Sequence, residues 1–245
     1  MHQAPGFDQS SEPTSRRRAH GFIDAHVHVW TDDLTSYPLS HPFTPSDMSL
    51  PAASPDDFFD HARRSGVDRA VLIQMSYYGF DNWYMLDVIR RYAGVFAGVA
   101  MVDWEREDPE DAMRELARHG IRGFRIDAER DPKARCLGSK GLDKMFRYGE
   151  EEQLTICLLI VPDALTAVAK QCERFLDTPV IVDHLGQVGM HGAMPGDQIE
   201  ALCALSKYRQ VRIKVSGFYA LGSKRPPHKE LAPLIRRVYE AFGPE

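Results

Sequence analysis

The sequence is short of the features that mark several protein classes. It holds four cysteines in 245 residues, Cys136, Cys157, Cys172 and Cys203, with no C-x-x-C pair. That spacing excludes a small disulfide framework and a ribbon-type zinc module, and predicts free thiols in a reducing cytoplasm. No apolar run reaches the roughly 18 residues a membrane helix needs, so a membrane is not an expected partner. Excess positive charge is missing too. Thirty Lys and Arg stand against 35 Asp and Glu, net charge −5, and no basic stripe is interleaved with aromatics, which argues against a nucleic-acid partner. No Gly/Ser- or Pro-rich linker divides the chain after residue 21, so residues 21–245 read as one domain. The first 20 residues are polar, and Arg16-Arg17-Arg18 precedes no apolar stretch. They read as a disordered tail and not as a secretory or twin-arginine signal.

What is present is a rhythm. From residue 21 onward, short β-branched runs alternate with amphipathic stretches, the pattern of βα units on a parallel sheet. Strands are expected over residues 22–29, 69–75, 95–102, 121–126, 154–160, 180–184 and 211–216. The expected fold is therefore α/β, a TIM-type (β/α)8 barrel lacking its eighth strand in this sequence. Helix starts are signalled by Ser54-Pro55, Asp108-Pro109 and Val161-Pro162, and helix stops by Gly66 and Gly120. Near the end, Leu231, Leu234, Ile235, Val238, Tyr239 and Phe242 recur at helical spacing and form one apolar stripe. Two long connections, residues 31–53 and 127–140, follow the C-terminal ends of strands one and four, which in a barrel form the active-site rim.

The first strand carries Asp24-Ala25-His26-Val27-His28. Strand residues alternate faces, so Asp24, His26 and His28 share one side and Ala25 and Val27 the other. If the apolar set packs under the helices, both imidazoles point into the barrel, where they can clasp one divalent cation. The alternative for such a pair is a hydrogen-bonded or surface role. The sixth strand ends Val180-Ile181-Val182-Asp183-His184-Leu185-Gly186, which is expected to place His184 on the inward face with Val180 and Val182.

Together with Ile121-Arg122-Gly123-Phe124-Arg125 and Lys214-Val215-Ser216-Gly217, these motifs make the chain resemble the amidohydrolase superfamily from about residue 21 onward. Within it the likeness is to the lactonase group of fuconolactone-type and 2-pyrone-4,6-dicarboxylate-type hydrolases. The resemblance implies opening of a small, acidic lactone by activated water in the barrel mouth. His26, His28 and His184 are the implied catalytic residues and the implied ligands of one divalent ion, zinc or manganese. A metal-free mechanism is also found in the group, and there His184 would hydrogen-bond the substrate carbonyl. Two-metal relatives use a lysine on strand four and a histidine on strand five, where this chain has Arg125 and Cys157. The aspartate that relatives carry on strand eight as general base has no counterpart in the sequence.

A guanidinium pairs well with carboxylates, so Arg125 is the expected substrate anchor, while Arg130 and Arg135 read as solvated loop residues. Tyr78, Ser216 and Tyr219 are the further candidates for substrate contact, with Trp30, Tyr77, Gln74 and Ser76 as strand-end alternatives. Two other readings stand beside lactone hydrolysis. One is a metal-dependent decarboxylase of the same superfamily; the other is a non-catalytic barrel fragment, because a missing strand leaves two sheet edges unpaired.

Overall fold

The computed structural model describes residues 21–129 and 134–244; the 1–20 stretch and Arg130 lie outside the described residues. Seven parallel strands, β1 (Phe22–Val27), β2 (Val67–Ile73), β3 (Phe96–Ala100), β4 (Ile121–Asp127), β5 (Thr155–Leu159), β6 (Val180–Val182) and β7 (Val211–Ile213), pair in chain order in one curled sheet. Between and after them run α1 (Pro55–Ala62), α2 (Trp83–Arg91), α3 (Pro109–Arg118), α4 (Lys140–Glu152), α5 (Leu165–Arg174), α6 (Gly196–Cys203) and α7 (Ala232–Phe242). The expected barrel topology is present with seven strands among the described residues, and no helix among them is long and apolar enough to cross a membrane.

Local chemistry accounts for the element boundaries. Ser54 caps α1 by accepting from the Asp57 amide, with Pro55 at the first helical position. Pro109 opens α3, whereas Val161-Pro162 opens a 3-10 turn that leads into α5. Gly66 and Gly120 end their helices at φ 74° and 95°, a left-handed conformation that costs a side-chain-bearing residue about 1–2 kcal/mol. On α7 the stripe buries Leu234 and Val238, with Leu231 just ahead of the helix, but leaves Tyr239 exposed.

The two faces of the sheet are unequal. Leu72, Phe124, Ile126, Ile156, Leu158, Val180 and Val182 face the helices and join Met113, Leu142, Phe146 and Leu234 in one continuous buried cluster. The inner face has only a thin apolar floor, Ile73, Val99 and Cys157 with Val71 and Ile181 against them. This corrects the assignment on β6: Val180 and Val182 point outward, while Ile181 and, beyond the strand end, Asp183 belong to the inner side. A parallel strand covered on both faces is apolar throughout, so its sequence carries no alternation from which to read the inward set. β1 also departs from expectation. Among the described residues no strand pairs with its outer edge; Phe22 and Ile23 are exposed, and Val27 and Val29 reach the core.

The connection after β1 is tied down by the aromatics that precede and face it. Trp30 bridges Ala53 and donates through Nε1 to the Leu50 carbonyl at 2.9 Å. The Tyr77 hydroxyl donates to the Asp47 carbonyl at 3.1 Å, and the Tyr78 hydroxyl accepts from the Thr31 amide at 3.0 Å. In hydrogen exchange on the 245-residue chain, the amides of β1 that face away from β2 should exchange about tenfold or more faster than those of β4, which is paired on both sides. Equal protection would show that the β1 edge is covered.

Candidate active site

The C-terminal ends of β1, β4, β6 and β7 converge on one buried cluster. β4 carries Arg125 inward, level with Cys157 of β5 and Ile181 of β6. After Val182 the chain does not continue as strand. His184, Leu185, Gly186 and Gln187 follow with φ of 53°, 56°, 57° and 56°, a left-handed turn in which three of four residues bear side chains. Each such residue costs about 1–2 kcal/mol, so the turn persists because its surroundings hold it. The Lys214 amide donates to the Val182 carbonyl at 2.9 Å, and the Leu185 amide donates to the Lys214 carbonyl at 3.0 Å. The His184 ring lies so close over Gly217, itself at φ 71°, that a β-carbon there would stand 2.8 Å from the imidazole. The Asp183–Gly186 and Lys214–Gly217 motifs are thus two halves of one interlocked turn.

Asp183 is completely buried at its centre. The Arg125 guanidinium donates to Oδ2 at 2.8 Å, and the Lys214 ammonium lies 3.1 Å from Oδ1. The Lys214 contact is an ion pair whose angle falls short of a hydrogen bond, so Oδ1 keeps an open lone pair. His26 Nδ1 stands 3.9 Å from that oxygen and 3.3 Å from Lys214 Nζ. Its Nε2 is 3.2 Å from His28 Nε2 and 3.3 Å from an Arg125 nitrogen. His28 Nδ1 donates to the Ile73 carbonyl at 2.9 Å. The His184 ring centre is 4.6 Å from that of His26, and His184 Nδ1 shares a 2.9 Å hydrogen bond with Ser216 Oγ.

Burial, reinforced by the Lys214 and Arg125 charges, pushes the His26 imidazole down to about 2. Burial, then Arg125, pushes His28 down to about 4, and burial also lowers His184. All three are neutral at pH 7. Burial alone would raise Asp183, but Arg125 and Lys214 outweigh it and hold the carboxyl below its usual range. On the inner face below, burial pushes the Cys157 thiol up to about 12, which keeps it an inert, protonated packing group.

The fit of a divalent ion follows from these donors. Two nitrogens bound to one tetrahedral zinc stand roughly 3.3 Å apart, and the His26 and His28 Nε2 atoms have that separation. The remaining requirements are not met. No three His, Cys, Asp or Glu side chains among the described residues gather as a metal-holding group. The expected trio is not gathered as a ligand set: His184 shares Nδ1 with Ser216 and has Nε2 left to offer, and Asp183 is taken by two cations. These residues alone do not complete a resident metal site.

Of the expected residues, the structure gathers His26, His28, His184, Arg125 and Ser216. Tyr78 is buried, with its hydroxyl engaged by the Thr31 amide, and Tyr219 is exposed on a turn after β7. Gln74 donates to the Gly79 and Asp81 carbonyls, a structural role, and Arg135 lines a separate cavity against the start of α4. Asp183 and Lys214 were missed as site residues, although both lie inside the quoted motifs. A charge closing an otherwise apolar strand was the available signal.

Stability should follow from the two depressed imidazoles. Their folded values lie below the unfolded value near 6.5, so the unfolded chain binds more protons at lower pH. Their contribution is whole above pH 6.5 and is lost as pH falls toward 4, at about 1.4 kcal/mol per pH unit for each group. Urea midpoints measured from pH 7 to pH 4.5 should fall accordingly, and His26→Gln should flatten the slope. A midpoint independent of pH in this window would contradict the assigned burial.

Comparison with known proteins agrees with this geometry. The chain is 24% identical over 233 residues to a 4-sulfomuconolactone hydrolase of Rhizobium radiobacter, covering 94% of this chain and 75% of that one. It is 27% identical over 226 residues to an L-fucono-1,5-lactonase of Burkholderia ambifaria, covering 90% and 76%. A Burkholderia multivorans amidohydrolase, solved with bound zinc, superposes with a TM-score of 0.77 at 19% identity over 91% of this chain and 80% of that one, which establishes the shared fold. The model of the amidohydrolase family matches residues 23–245, and the chain belongs to that family of hydrolytic enzymes, alongside its lactone hydrolases.

Proposed function

We propose that this chain opens a small, acidic lactone by hydrolysis at the mouth of its sheet. The observation that carries the reading is the cluster itself: three neutral imidazoles beside two cations and a single buried carboxylate, at the C-terminal strand ends. With Asp183 ionised, the group carries a net charge of about +1, which suits an anionic substrate. The two relatives are named for a sulfomuconolactone and a fuconolactone, both lactones.

The reaction drawn on these residues is acyl transfer to water. Arg125 and Lys214 hold positive charge close to where the carbonyl oxygen gathers negative charge, and His184, aligned by Ser216, hydrogen-bonds that oxygen. The His26–His28 pair receives the proton that the attacking water loses, at His26 Nδ1, as the Lys214 ammonium turns from that nitrogen toward the developing oxyanion. The two imidazoles are weak bases in the resting site, but a developing oxyanion beside them raises their proton affinity as the reaction proceeds, so the assistance is strongest in the transition state. Collapse of the tetrahedral adduct breaks the ring C–O bond, and the proton passes to the departing oxygen, leaving a hydroxy acid. A divalent ion, zinc or manganese, would be held by the His26 and His28 Nε2 atoms, and no step depends on one.

The test is proton release from a panel of acidic and neutral lactones, with carbon dioxide followed in the same samples. Acidic lactones should open, and Arg125→Met should lower kcat/KM by about 10²–10³-fold, as loss of an oxyanion-stabilising donor does. Carbon dioxide evolution without lactone opening, or a folded chain inert toward the whole panel, would overturn the reading.

A further inference from the structure

Lys214 was expected only as part of a motif, yet its ammonium stands at the one place where it governs the histidine pair. We propose that Lys214 is a positioning residue that fixes the tautomer of His26, and so keeps His26 and His28 wired as a hydrogen-bonded relay and not as a metal chelate. This holds whatever the substrate is.

The argument is a matter of donors and acceptors. An ammonium can only donate, so the 3.3 Å contact from Lys214 Nζ requires a lone pair on His26 Nδ1. A neutral imidazole carries one ring proton, which must then sit on Nε2. That nitrogen faces His28 Nε2 at 3.2 Å, and His28 Nε2 is free to accept because the His28 proton is held at Nδ1 by the Ile73 carbonyl, which can only accept. The direction of every link is therefore set: Lys214 to His26, His26 to His28, His28 to Ile73. The chain ends in a donor-only group on one side and an acceptor-only group on the other.

The other tautomer can be weighed directly. With the proton on Nδ1, Arg125 could donate to His26 Nε2 across 3.3 Å. Then Nδ1–H would face the Lys214 ammonium, and the two Nε2 lone pairs would face one another 3.2 Å apart. Arg125 could make that bond, since its terminal nitrogen carries two hydrogens and gives only one to Asp183 at 2.8 Å. The relay leaves one mismatch, Nε2–H against the Arg125 nitrogen; the alternative leaves two, Nδ1–H against the Lys214 ammonium and the two facing Nε2 lone pairs.

A divalent ion needs that disfavoured tautomer, because it must take both Nε2 lone pairs. Take away the ammonium and the balance reverses. Asp183 Oδ1, which has no hydrogen bond and lies 3.9 Å from His26 Nδ1, becomes the natural acceptor for a proton there. Carboxylate to imidazole to metal is the arrangement that orients metal-binding histidines. Lys214 thus occupies the position that decides between the two uses of one pair of side chains.

The experiment uses the 245-residue chain labelled with 15N-histidine, long-range 1H–15N correlations at pH 7.5, and a zinc titration by calorimetry. In the native protein the His26 proton should be on Nε2 and the His28 proton on Nδ1. In Lys214→Met the His26 proton should move to Nδ1 and zinc should bind at least about tenfold more tightly, while Lys214→Arg, which keeps a donor, should retain the native tautomer and the native zinc affinity. A native His26 protonated on Nδ1 overturns the proposal by itself, even if Lys214→Met fails to fold. So does a folded Lys214→Met with unchanged tautomer and unchanged zinc affinity. None of these readouts requires lactonase activity, so failure here and failure of the proposed reaction are separate results.

Discussion

A fully buried carboxylate has to be compensated, and the mouth of this sheet is organised around one. Asp183 sits at the inner end of β6 with Arg125 reaching it from β4 and Lys214 from β7. Left alone, an ion in such surroundings would cost several kcal/mol. Two cations on a single carboxylate leave a surplus of positive charge, and His26 and His28 share their pocket with it. Burial and that surplus together make these imidazoles neutral over the physiological range. The acid–base character of the site is therefore a consequence of how the sheet neutralises one aspartate.

The same constraint explains the unusual backbone next door. Four consecutive left-handed residues would be unstable in isolation. They are held because Leu185 bonds to the Lys214 carbonyl and the His184 ring rests on Gly217. Glycine at 217 is required twice over, by its positive φ and by the imidazole that a β-carbon would strike. Strain of this kind at a strand end is characteristic of sites where a side chain must be aimed. Here it aims His184 at His26 and commits its Nδ1 to Ser216, which leaves Nε2 as the nitrogen it can offer.

Much of this was legible in the sequence. The βα rhythm located all seven strands, because parallel strands and their covering helices write two distinct periods into the chain. His26 and His28 were placed by simple alternation, and Arg125 by its position near the end of β4. What could not be read was the inner face of β6, where both faces are apolar and alternation carries no signal. The left-handed turn was also hidden, since only Gly186 of its residues advertises positive φ. Asp183 and Lys214 showed only as charges closing apolar strands, because their role comes from meeting across 30 residues of intervening sequence. Tyr78 was misleading because an aromatic at a strand end can equally hold a loop, and its hydroxyl is used that way.

The claim on which the rest depends is that Asp183, Arg125 and Lys214 act as one electrostatic unit. A double-mutant cycle on unfolding free energy, combining Asp183→Asn with Arg125→Met, tests it directly. Asp183→Asn alone should cost about 3–5 kcal/mol by stranding two buried cations. Arg125→Met should be far less costly in that background than in the native chain, giving a coupling energy above about 1 kcal/mol. Additivity within about 0.5 kcal/mol would mean that the two residues do not depend on one another, and would contradict the account.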